Sequence, residues 1–515
     1  MGAADGPFVL GIDTGSQSVR AGIFALDGTL LGAATHPCET FYPKVTWAEQ
    51  NAAEWWKALR ITVPAALAQA GLRGEDITAL SVDGTSCTVV CCGRDGTVLR
   101  PAIMWMDQRA FSEARRVSLT QDPVLQYVSG HESAEWMIPK ALWLKVNEPE
   151  IYESADLIVE GTDWLTFRLT GEWTASLCNA TAKWNYARPA GGYPVGLLEA
   201  VNASELLNKW PTQVLPLGAP AGELSASAAA ELGLKAGTLV ARGGIDAYAA
   251  TLGSGVVVPG RMAMVMGSST CHMALSDQAI FGSHVWGPYP DALIDGTWVL
   301  EGGQTATGSI LAWLADNFAG RETAEASRGG EDRFAYLDAK AAEIPPGAEG
   351  LVVLDYWQGN RTPLRDPLAR GAIWGLSLRH SLPHVWRAVL EGTAMGSRHI
   401  IEDLAEAGFT VEGIYACGGG ARSDLWLQIH ADITGIPLYL SALTHEASVL
   451  GTAMCAAVGA GLFPDLKSAA EAMVRIERQI DPNSANHGVY RDLYSHYLAT
   501  YPALRDLMHE VAREE

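Results

Sequence analysis

Apolar residues recur along the chain in two textures: short β-like runs flanked by small polar residues, and longer segments with helical spacing. Residues 8–12 and 19–26 are apolar, β-favouring runs, and Asp27-Gly28 turns the chain into a third strand that reaches residue 35. Residues 48–70 carry a helical pattern with Trp55 and Trp56 on successive faces, and Pro64 predicts a kink or break within it. Strands over 77–82 and 89–92 follow, then helices over 110–117, 134–146 and 160–169, the last stopped by Thr170-Gly171. Residues 188–223 are rich in Gly and Pro and hold little periodicity. A short strand over 239–242 leads through Gly243-Gly-Ile-Asp246 into an Ala-rich helix, and strands over 262–266 and 271–275 form a second hairpin. Residues 329–350, charged and then Pro-containing, read as a surface insertion. From Pro383 the chain is mostly helical, apart from strands over 413–416 and 437–440.

Strands and helices alternate in both halves, which predicts layered α/β domains. At 515 residues the chain is too long for one core, and the Gly/Ser/Val segment 253–259 divides it into expected lobes 1–255 and 256–515. A net charge of −22 argues against nucleic acid or an anionic membrane as partner. It leaves a phosphorylated ligand open, because local donors decide that. The Gly/Ala-rich segment 447–463 is short for a membrane span and reads as a buried helix. No signal-peptide pattern opens the sequence, the eight cysteines form no CxxC pair, and several lie in strand-like runs. Buried thiols in a reducing cytoplasm are therefore expected. His36, His131 and His272 lack ligand spacing, so no structural metal is expected.

The candidate chemistry sits in the turns of the two hairpins. Asp13-Thr-Gly-Ser-Gln-Ser18 is small and hydroxyl-rich: Gly15 lets backbone N–H groups approach a ligand, and Thr14, Ser16 and Ser18 add hydroxyls. Asp13 leaves its strand where a carboxylate could hold Mg2+ through the ion's water shell. Taken alone, a plain polar turn explains this stretch as well, and no Gly-Lys-Ser/Thr follows to make it a Walker loop. Gly267-Ser-Ser-Thr270 repeats the arrangement in the second half. One such loop per lobe supplies donors to both sides of a nucleotide's phosphates in a central cleft. The expected fold is α/β, two-lobed and actin-like (ribonuclease H-like).

With Asp13-Thr-Gly15, Gly243-Gly-Ile-Asp246, Gly267-Ser-Ser-Thr270 and Cys417-Gly-Gly-Gly-Ala-Arg422 in this order, the chain resembles the FGGY carbohydrate kinases over nearly its whole length. The resemblance implies ATP and Mg2+ as cofactors and transfer of the γ-phosphate to a sugar hydroxyl, with Asp246 as general base. It implies that Asp13, Thr14, Gly15, Ser16 and Ser18, with Gly267, Ser268, Ser269 and Thr270, hold the phosphates. Gly418, Gly419 and Gly420 then face the adenosine, Ser423 caps the following helix, and Asp13 and Asp246 lie nearest the metal. Asp83-Gly-Thr-Ser-Cys-Thr88, Ser133-Ala-Glu-Trp-Met-Ile-Pro-Lys140, Lys183-Trp184 and Glu301-Gly-Gly-Gln-Thr305 are similar to ribulokinase segments. The ribulokinase-like branch implies sugar contacts from Ser86, Lys183, Asp246, Glu301 and Gln304, with Lys183 as donor and Glu301 as acceptor. Gly84 stands where that pattern carries Phe or Ala, which implies an enlarged sugar pocket. A ketopentose, ribulose first, is the expected substrate. Xylulose or a polyol such as ribitol or erythritol is the alternative, and a non-catalytic actin-like switch is the alternative of another class. The expected partners are a small-molecule sugar and ATP, and a homodimer is compatible with the reading.

Overall fold

The computed structural model describes residues 6–282 and 284–513. Their main strands gather into two sheets, one from each half of the chain. The first runs Pro220–Glu223, Leu239–Ile245, Ile77–Gly84, Phe8–Thr14, Ser18–Ala25, Leu30–Pro37. The second runs Trp286–Pro290, Trp298–Gln304, Thr270–Ser276, Arg261–Met266, Gly413–Cys417, Leu438–Ser441, Ile476–Ile480. Both are built on the same unit. Phe8–Thr14 pairs antiparallel with its hairpin partner Ser18–Ala25 and parallel with Ile77–Gly84. Arg261–Met266 does the same with Thr270–Ser276 and Gly413–Cys417. Val9, Leu10 and Ile12 are all fully buried, which explains why this strand reads as a continuous apolar run rather than an alternating one. The fold is the two-lobed, actin-like ATPase fold.

Two helices set the distance between the halves. Asp246–Gly253 packs against strands of both sheets, and Ala447–Gly459, from the C-terminal half, lies on the first sheet. Their small residues let the backbones touch. A Cβ on Gly253 would sit 1.9 Å from the Ala447 carbonyl oxygen, and one on Gly451 would sit 1.9 Å from that of Ala249. The apolar stretch that raised a membrane question is thus a core helix. Among the described residues no helix is long and apolar enough to cross a membrane.

Three expectations need correction. The Ala52–Ala70 helix runs unbroken through Pro64. The carbonyl freed by the missing proline N–H belongs to Arg60, which is exposed, so water can satisfy it, while the opposite face packs on the first sheet. The surface insertion contains a docked helix, Arg333–Ala342, with Leu337 and Ala341 buried. Trp386 Nε1 donates to its Asp338 at 2.7 Å. The edge strand Ile476–Ile480 went unread because its residues are mostly polar and exposed.

Gly451→Ala should lower the unfolding free energy by about 1–3 kcal/mol or more, since the new methyl meets a backbone oxygen that cannot yield. The urea midpoint measures this. An unchanged midpoint would mean that the two helices can separate freely.

Candidate active site

Three parallel strands of the first sheet end side by side, and each delivers a carboxylate. Asp13 and Asp83 are the penultimate residues of Phe8–Thr14 and Ile77–Gly84 and face each other in register. Asp246 follows directly on Leu239–Ile245, whose Ile245 is paired with Gly84. Ligands of open α/β sheets bind at such carboxyl ends. Asp246 is the first residue of its helix rather than its cap, and its Oδ1 accepts from Ala247 N–H at 2.7 Å.

A cavity of about 290 Å3 opens at this edge. Of the residues named from sequence, Asp13, Gly15, Ser16 and Ser86 line it, as do Lys183, Asp246, Gly267, Ser269 and Glu301. Lys183 Nζ lies 2.9 Å from both oxygens of Glu301, and Tyr248 OH donates to Glu301 at 3.0 Å. The rings of Trp136 and Tyr289 flank the ammonium at 5.4 and 5.5 Å. Burial opposes the charge of Lys183, yet the Glu301 carboxylate outweighs it and holds the ammonium's pKa well above its usual value. The expected donor and acceptor thus satisfy each other across the lobes, leaving a neutral pair beside Asp246.

Other named residues shape the site without lining the cavity. Thr14 Oγ1 donates to the Asp83 carbonyl at 2.6 Å, and the Ser18 carbonyl closes its loop by accepting from Gly15 N–H at 3.0 Å. Thr270 Oγ1 is bonded to Thr307 Oγ1 at 2.9 Å, and the Ser268 carbonyl accepts from Thr307 and Ser309 N–H. Gly418 adopts φ +89°, and a Cβ there would lie 2.6 Å from the Met266 carbonyl, so the Gly418–Gly420 turn runs against the strand that carries the Gly267 loop. Gly419 has open space, and Ser423 caps its helix by accepting from Trp426 N–H at 3.1 Å.

Two readings fail on geometry. Gln304 is buried away from the cavity: its Nε2 donates to Asp355 and the Thr393 carbonyl, each at 2.8 Å, and Ser397 Oγ donates to its Oε1 at 3.1 Å. Its amide is engaged by these core groups, and it is not among the residues that line the cavity. Gly84 does not line the cavity either, and a Cβ on it would sit 2.3 Å from Thr14 Oγ1. Small size there serves strand pairing, not substrate room. Sequence reasoning gave no role to Trp105, Glu135, Tyr248, Arg361 and Ser448, which do line the cavity. Trp105, Glu135 and Arg361 lie outside helices and strands, and Tyr248 and Ser448 lie in the first turns of helices, where periodicity marks the helix but not which side chain reaches a cavity.

Burial pushes the Asp246 carboxyl up to about 7, helped by the charge of Asp13 and opposed by the Ala247 N–H. Asp83 is raised well above the carboxylate range by burial and then by Asp13. Burial also raises Asp13, against hydrogen bonding from Asp83 and attraction by Arg20. Asp13 Oδ1 is buried and unpartnered. Among the described residues no group of three His, Cys, Asp or Glu side chains could hold a metal by itself. The unpartnered Asp13 oxygen would suit a cation held through its water shell.

A buried carboxylate near neutrality, beside two hydroxyl-rich loops in an interlobe cleft, defines a two-lobed phosphotransferase. The chain belongs to the FGGY family of carbohydrate kinases: the family's N-terminal domain model matches residues 8–253 and its C-terminal domain model residues 262–460. It is a sugar kinase. It is 34% identical over 534 residues to an FGGY carbohydrate kinase domain-containing protein of Danio rerio, covering 96% of this chain and 97% of that one. It is 33% identical over 532 residues to a ribulokinase of Anoxybacillus flavithermus, covering 95% and 93%. The crystal structure of xylulose kinase from Rhodospirillum rubrum superposes with a TM-score of 0.83 at 30% identity, covering 98% of this chain and all of that one.

On the expectation that Asp246 is the general base, it has to be ionised to accept a proton, so kcat/KM for the sugar should rise with pH through an apparent pKa near 7 and level off above it. A profile flat down through the ordinary carboxylate range would show that Asp246 is not held near neutrality.

Proposed function

We propose that the protein transfers the γ-phosphate of ATP to the terminal hydroxyl of a ketopentose, ribulose first among the candidates. The observation that carries this reading is Asp246, raised to about 7 and facing the same cavity as the Lys183–Glu301 pair. A sugar hydroxyl sheds its proton as it attacks the γ-phosphorus, and the Asp246 carboxylate takes that proton. Such a base contributes ~10²–10⁴-fold in rate, or roughly 3–5 kcal/mol of barrier. Lys183 donates to sugar oxygens, Glu301 accepts from hydroxyls, and their mutual pairing holds both in place before the sugar arrives. The loops at Asp13–Ser18 and Gly267–Thr270 bring backbone N–H groups and hydroxyls to the phosphates from opposite lobes, and the Gly418–Gly420 turn receives the adenosine. Mg2+ bound with the nucleotide would neutralise phosphate charge, with Asp13 and Asp246 the carboxylates nearest it.

Ribulose is favoured by the ribulokinase-like segments around Ser86, Lys140 and Lys183 and by ribulokinase relatives at about one-third identity. A second reading, xylulose or a polyol, draws on the likeness to a xylulose kinase at 30% identity.

An ADP-release assay with D-ribulose, L-ribulose, D-xylulose, ribitol and erythritol separates the readings. Ribulose should give the highest kcat/KM. Lys183→Met should raise KM for every accepted sugar by at least about tenfold, since hydrogen bonds to charged groups contribute ~1.5–3 kcal/mol. ADP release that no sugar stimulates would sink the proposal, and a clear preference for a polyol would favour the second reading.

A further inference from the structure

The sugar cavity does not end at a packed wall. Trp105, Glu135, Ser269 and Arg361 line both it and an outer cavity of about 710 Å3. One ion pair stands at the junction. Arg361 Nη2 lies 2.7 Å from Glu135 Oε1, and Gln108 Nε2 donates to the same oxygen at 3.0 Å. Glu135 belongs to the N-terminal half of the chain and Arg361 to the C-terminal half, so the pair crosses the cleft. The side chains are only 21% and 18% exposed, for Arg361 and Glu135 respectively. Among the described residues Glu135 Oε2 has no hydrogen-bond partner. Glu301, the other carboxylate acting on Arg361, is already committed to Lys183 and Tyr248. Glu135 is therefore what keeps the guanidinium neutralised.

We propose that the Glu135–Arg361 pair is a specificity determinant that restricts the kinase to uncharged sugars. It partitions the inner cavity from the outer one, offers Glu135 Oε2 to a sugar hydroxyl, and withholds Arg361 from any sugar bearing a terminal carboxylate. The inference rests on the sugar-kinase reading above and extends it to the end of the substrate that approaches the outer cavity. The physical basis is charge. An aldonate entering the inner cavity meets the Glu135 carboxylate, and the two cations that line that cavity, Lys183 and Arg361, are each already paired with a carboxylate. With Glu135 neutral, Arg361 presents a planar donor fork whose geometry matches a carboxylate.

The test is Glu135→Gln, which keeps the shape and removes the charge. kcat/KM is measured for D-ribulose and for the aldonates D-ribonate and D-gluconate, and aldonate binding is read separately by quenching of tryptophan fluorescence, since Trp105 and Trp136 line the cavity. The aldonate-to-ribulose ratio should rise by about tenfold or more, with aldonate Kd tightening in parallel. The gain should vanish in Glu135→Gln/Arg361→Gln. An unchanged ratio and Kd in Glu135→Gln, or a gain that survives loss of Arg361, would overturn the proposal. Glu135→Ala carries the same expectation should the Gln form fold poorly. A parent enzyme inactive on every neutral sugar would instead sink the substrate reading, while the binding arm still judges the pair.

Discussion

Two carboxylates on neighbouring strands, in register and shut off from water, are the constraint around which this site is built. Asp13 and Asp83 cannot both be charged at such separation without a large cost. Burial and the Asp13 charge push the Asp83 carboxyl up, and hydroxyls offset part of that cost: Thr452 and Ser448 both donate to its Oδ2. Those hydroxyls come from the Ala447–Gly459 helix, more than three hundred residues away in sequence. The first sheet therefore depends on a helix from the other half of the chain for its own electrostatics. The close glycine contacts with Asp246–Gly253 then fix where that helix, and so Asp246, must stand.

The remaining charges in the cleft are arranged in pairs, one member from each half. Lys183 meets Glu301, Glu135 meets Arg361, and Arg20, opposite Asp13 on the neighbouring strand, meets Glu446 at 3.0 Å. Such pairs are net neutral and leave free lone pairs and N–H groups, which suits a substrate that is polar but uncharged. Of the carboxylates that line the cavity, Asp13 and Asp246 form no ion pair among the described residues, whereas Glu301 and Glu135 do. On the proposed function, this contrast between paired and unpaired charge separates a sugar end of the cavity from a phosphate end.

Much of this was legible in the sequence, and the reasons differ by feature. The hairpins at Phe8–Ala25 and Arg261–Ser276 and the strand before Asp246 are local: apolar runs, turn residues and glycines lie next to one another, so short-range patterns reveal them. The cavity-lining residues named in advance sit in those motifs or in family-like segments. What the sequence hid was set by contacts distant along the chain. Gln304 ends the strand that carries Glu301 yet turns into the core toward Asp355 and Thr393, a choice that no pattern encodes. Gly84 looked like missing pocket volume, but its role is decided by Thr14 on the next strand. Arg361 and Glu135 are separated by 226 positions and become meaningful only once the lobes meet.

The central claim is that Asp246 serves as the base and contributes to transfer rather than to binding. It is tested most directly by Asp246→Asn, with single-turnover phosphoryl transfer and the binding of sugar and nucleotide measured on one preparation. The account predicts transfer slower by ~10²–10⁴-fold with both dissociation constants within a few-fold of the parent. An Asn variant that kept most of its transfer rate, or one that lost sugar binding in proportion to rate, would contradict it.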